Sequence, residues 1–98
     1  MTTEIYKLKM PERVFVFIAT QSAERLAAMG DALRGLGATD IGPQSFALRR
    51  DGASPEAVRD ALGELEEGEC VYRIGAVGGA LEHHLFVRAR TGGGTTVR

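Results

Sequence analysis

Hydrophobic and polar positions change period several times along this chain, and each change falls at a local boundary signal. Arg13 to Ala19 is β-branched and aromatic with no polar residue after Arg13. A continuous apolar run of this kind predicts a central strand buried on both faces. Thr20 and Ser22 can each cap a following helix. In that helix Leu26, Met29, Leu33 and Leu36 recur at spacings of three and four, the period of one helical face. Gly35 and Gly37 supply its stop.

Two short strands follow, near Thr39–Gly42 and over Gln44–Arg50, interrupted by Gly42-Pro43. Phe46 and Leu48 alternate with Ala47 and Arg49, which predicts one covered and one wetter face. Asp51-Gly52-Ala53 reads as a turn. Ser54-Pro55-Glu56 joins a capping hydroxyl, a proline at the first helical position and an acid near the positive end of the dipole. Val58, Ala61, Leu62 and Leu65 then form an inner face, and Glu66, Glu67 and Gly68 close the helix. Glu69 to Val77 is a further strand, ended by Gly78-Gly79. Leu81 to Arg90 alternates as a last strand, and 92–98 is glycine-rich and reads as a flexible tail. Tyr6, Leu8 and Met10 alternate with Lys7 and Lys9, so residues 1–9 read as an extra strand or an extension, with Met10 a second potential start.

The order strand, helix, two strands, helix, strand predicts an α+β domain of the ferredoxin-like βαββαβ type with an additional C-terminal strand. Its antiparallel sheet carries both helices on one face. A chain of 98 residues makes one such domain, over 10–91. Net charge is −1, from 12 basic and 13 acidic residues, so a globally basic surface for nucleic acid is absent. Ten of the basic residues are Arg, and with 13 Gly this composition points to a GC-rich bacterial genome. A single cysteine, Cys70, excludes an internal disulfide and reads as a small buried hydrophobe. The longest apolar run, Val14 to Ala19, is far short of the ~20 residues that span a bilayer. The first residues lack a signal-peptide layout. A cytoplasmic protein with no membrane partner is expected.

Candidate chemistry is sparse. His83 and His84, beside Glu82, are adjacent on a strand and point to opposite faces, so they do not converge on one ion. They read as exposed residues near a strand end, or as an oligomer contact. Glu64, Glu66, Glu67 and Glu69 read as a solvated face. No Ser or Cys stands beside a base, and no phosphate loop is present. No catalytic residue, metal ligand or cofactor is therefore assigned. Arg49 and Arg50 end one strand, and Arg88 and Arg90 lie on another. Were those strands neighbours, four guanidinium groups would share one rim able to hold a nucleic-acid backbone.

Five segments between Arg13 and Val77 carry a family resemblance. They are the opening strand Val14–Ile18, a helix ending in Leu36-Gly37-Ala38, a strand centred on Gln44-Ser45-Phe46, the segment from Ser54 to Leu62, and the strand Cys70–Ile74 after a charged Glu66–Glu69 turn. In order and spacing this stretch resembles CRISPR-associated protein 2, and more closely its SinR-like relatives, in a wider group with VapD toxins. The resemblance implies a homodimer, with the final strand completing the partner's sheet, and contact with DNA or RNA. Nuclease members of that group place an Asp at the end of the first strand. Here the stretch reads Phe17-Ile18-Ala19-Thr20-Gln21, with no acid to hold a hard cation. The expectation is a non-catalytic dimeric module binding nucleic acid or a partner protein in a bacterial defence or mobile-element setting. An endonuclease and a ligand-sensing or protein-interaction domain are the alternatives.

Overall fold

The computed structural model describes residues 13–77 and 80–89. Its elements are β1 (Arg13–Ala19), α1 (Ala23–Gly35), β2 (Thr39–Gly42), β3 (Ser45–Arg49), a short 3-10 turn (Arg50–Gly52), α2 (Pro55–Leu62), β4 (Cys70–Val77) and β5 (Ala80–Val87). The strand order is β2-β3-β1-β4-β5, and every pairing is antiparallel. The first four strands have the ferredoxin-like arrangement, and β5 extends it beyond β4. The expected extension over 1–9, the Gly78-Gly79 stop, Arg90 and the tail lie outside the described residues.

Local chemistry sets the boundaries. Ser22 caps α1, its Oγ accepting the Arg25 amide at 3.1 Å. Gly37, at φ +96°, takes the left-handed turn after the helix. Ser54 caps α2 through the Ala57 amide at 3.1 Å, with Pro55 at the first helical position. This helix stops at Leu62, one turn earlier than the acids Glu66 and Glu67 predict. Gly63 adopts φ +71° there, and its amide closes on the Arg59 carbonyl. Leu65 leaves the helix but still packs against the core.

Both helices lie on one face of the sheet. Val14, Val16 and Ile18 of β1, Phe46 and Leu48 of β3 and Val71 of β4 meet Met29 and Leu33 of α1 and Val58 and Leu62 of α2 in one buried cluster. Each fully buried side chain of this size contributes about 1.5–3 kcal/mol. Gly30 brings α1 close to β3, since a Cβ there would lie 3.2 Å from the Phe46 ring.

β1 is central, but only its Val14, Val16 and Ile18 side is covered. Phe15 and Phe17 point the other way and are 37% and 40% exposed. The unbroken apolar run therefore does not mean two covered faces within one chain. In β4 the inward residues are Val71, Arg73 and Gly75, and Cys70 lies half-buried on the opposite face rather than in the core.

Candidate functional site

Three groupings of side chains could carry function, and they differ in how fully their polar groups are occupied. The first is a clasp where β1 ends and β4 begins. Glu69 is 3% exposed. Its Oε2 accepts from Arg25 Nε at 2.9 Å and from the Thr20 hydroxyl at 3.0 Å. Its Oε1 accepts from Arg25 Nη2 at 2.8 Å and from the Glu66 amide at 2.8 Å. The Arg25 hydrogen bonds, helped by the Glu66 amide, Thr20 and the Arg25 charge, outweigh burial and pull the carboxyl down to about 2. Glu69 is thus no part of a solvated acidic face. Sequence reasoning missed it because Arg25 is 44 residues away. The one local signal was an acid flanked by Gly68 and the start of an apolar strand.

The second grouping surrounds Arg73, which is 1% exposed. Its Nε donates to the Ala53 carbonyl at 2.8 Å and its Nη1 to Glu82 at 2.9 Å, with His84 Nδ1 at 3.3 Å. The bond from Arg73 holds the Glu82 carboxyl below its ordinary value. Glu82 and His84 therefore lie on the helix side of β5. His83 points the opposite way and pairs with the Tyr72 hydroxyl. Both histidines sit in mid-strand rather than at its end, and His84 is half-buried. Among the described residues no three His, Cys, Asp or Glu side chains come together as a metal cluster. No buried side-chain nitrogen or oxygen among them lacks a partner.

The third grouping is the sheet face away from the helices. Phe15 pairs with Ile74, Phe17 with Tyr72, and Tyr72 with Leu85. The Phe17 and Tyr72 ring centroids are 6.3 Å apart with planes within 28°, and Tyr72 and His83 follow at 5.8 Å. Three rings thus cross three adjacent strands.

The four sequence-predicted arginines do not share one rim. Arg49 ends β3 opposite Arg13, and Arg50 follows it in the 3-10 turn. Arg88 follows Val87, which pairs with Cys70, itself opposite Ala19 at the far end of β1. Arg49 and Arg88 are separated by roughly 20 Å along the strands and by about 14 Å across β1 and β4. Arg88 donates to the Leu65 carbonyl at 2.9 Å, and Arg49 lies 3.6 Å from Asp51. Arg50 contributes to the field at Glu82. Arg90 lies outside the described residues. The reason is topological: β3 and β5 are not neighbours.

This chain matches no family model, no curated protein and no solved structure. Among the described residues no helix is long and apolar enough to cross a membrane.

Proposed function

We propose that the protein is a non-catalytic, homodimeric ferredoxin-like module that pairs with a second copy along β5 and works by binding rather than by chemistry. The outer edge of β5, which no strand among the described residues pairs, carries this reading. β5 has eight residues, Ala80–Val87, with no proline, no lysine and no register shift against β4. Unpaired backbone groups along such an edge are a template for another strand. The resemblance of Arg13–Val77 to CRISPR-associated protein 2 and SinR-like proteins points the same way, and nucleic acid is the ligand class it favours.

The nuclease alternative fits the side chains less well. Glu69 is a carboxylate at the end of β1, but both of its oxygens are engaged by Arg25, Thr20 and the Glu66 amide. A hard cation would have to displace the guanidinium to reach it.

Sedimentation equilibrium from low to high micromolar protein tests the reading. The expected mass is twice the 10.5 kDa of one chain. In an antiparallel ladder one of two successive residues turns its amide to the neighbouring strand and the other away from it. Of His83→Pro and His84→Pro, the one whose amide faces the open edge should keep the fold and weaken the dimer. A monomer at every concentration refutes the proposal.

A further inference from the structure

The helix-free face of the sheet differs from the rest of the surface in charge as well as in shape. Its outward positions include Phe15, Phe17, Tyr72, Ile74 and Leu85, with His83 beside Tyr72. No outward position on β1, β3, β4 or β5 is an acid. The acids of the described strands, Asp40 and Glu82, turn to the helix side, where Arg34 and Arg73 hold them. At one end of the outward face Arg13 and Arg49 stand opposite each other across β1 and β3, both exposed. The strands of this face thus present rings and two arginines and no carboxylate of their own, while Asp51 of the 3-10 turn lies 3.6 Å from Arg49.

We infer that this face is a docking surface for single-stranded nucleic acid, whose bases stack on Phe15, Phe17 and Tyr72 while Arg13 and Arg49 meet phosphates. The inference deepens the binding reading above and does not depend on pairing along β5.

Three physical points carry it. Stacking of bases on aromatic rings is available to every base, so a row of rings recognises unpaired nucleotides as a class. Phe15 and Phe17 are two residues apart on one strand, about 6.6 Å, and Phe17 and Tyr72 lie 6.3 Å apart between strands. Rings at these steps can serve successive bases of an extended strand. Stacking of successive base pairs in a duplex covers the faces that such rings would meet, so a duplex is excluded from the platform. Lastly, a second copy docked face to face would bring Arg13 of each copy into a largely apolar interface whose strands offer no acid to meet it, whereas Arg49 already has Asp51 at 3.6 Å. Uncompensated buried charge is costly, whereas a phosphate supplies the counter-charge.

Fluorescence anisotropy with labelled oligothymidine and oligouridine, each free and annealed to its complement, tests the inference on the full chain. Single strands should bind more tightly than the duplexes. Phe17→Leu keeps the apolar volume but removes the ring, and should weaken binding about 5- to 150-fold with an unchanged melting temperature. Phe17→Tyr keeps the ring and should bind as before. Arg13→Ala and Arg49→Ala should each flatten the log–log salt dependence by about 0.7, the share of one neutralised phosphate on a single strand. Absence of binding at low salt, equal binding by Phe17→Leu, or preference for the duplex overturns the inference. A halved mass for Phe17→Leu in sedimentation also overturns it, because the face would then belong to a second copy. Mass and anisotropy measured on the same samples separate this result from failure of the β5 dimer.

Discussion

Glu69→Gln should remove most of the acid sensitivity of this fold between about pH 5 and pH 2. In the folded protein the carboxyl titrates at about 2, against an ordinary value of 4.5. The group is held as its anion, so the stability it contributes is fully present above the unfolded value and is lost as pH falls through the folded one. That gap corresponds to roughly 3 kcal/mol at neutral pH. The partner guanidinium is 21% exposed and the clasp borders solvent, so screening lowers the figure to about 1.5–2 kcal/mol. Glutamine keeps the shape and one acceptor oxygen but leaves Arg25 without its bidentate partner. Urea denaturation of both proteins at intervals from pH 7 to pH 2 reads the effect. The variant should be less stable by about 1.5–2 kcal/mol at pH 7, and the two curves should converge near pH 2. Parallel curves, offset equally at every pH, would refute the assignment of the acid transition to Glu69. A variant as stable as the parent at pH 7 would refute the energetic role of the clasp.

Other changes probe the core, the backbone and the buried cation. Leu33→Ala, at a fully buried position in α1, should cost about 2–5 kcal/mol in urea unfolding. Gly63→Ala should cost about 1–2 kcal/mol through backbone strain alone, because φ is +71° and the added Cβ meets nothing within 4 Å. Arg73→Met should cost about 1–3 kcal/mol by leaving the Ala53 carbonyl without its donor. The same change should let the Glu82 carboxyl rise toward its ordinary value in an NMR titration, since Arg73 is the main cause of its depression.

Local grammar is the legible part of this chain. Ser22, Ser54-Pro55 and Gly37 act as the caps and stop that their types imply, and the β3 alternation places Phe46 and Leu48 inward as it predicts, although Ala47 on the expected wetter face is buried as well, paired between Phe15 and Thr39. Gly63 is the true end of α2, a signal that the acids beyond it mask. What depends on distant partners is not legible. The inward face of β4 is Val71, Arg73 and Gly75, although Cys70, Tyr72 and Ile74 form the more apolar set. Pairing with β1 and β5 fixes that choice, and Gly75 permits it by leaving room for Val14, whose Cγ2 would sit 3.2 Å from an added Cβ. The expected arginine rim needs β3 beside β5, a matter of strand order rather than composition. The aromatic row needs the same information, since Phe17, Tyr72 and His83 come from three different strands.

The two edges of the sheet are unequal, and the inequality sets a valence. β2 has four residues, a register shift between Asp40 and Gly42, and Pro43 directly after it. A short, bulged strand ended by proline is a poor acceptor for another chain. β5 has none of these defences along its eight residues. Among the described strands, the β5 side is therefore the better template for pairing with another chain. Were two molecules joined along their β5 edges, as proposed above, each end would present a blocked β2 edge and growth would terminate at two. Removing the bulge or Pro43 would give each molecule two open ends, and the same pairing would then propagate as a fibre instead of closing.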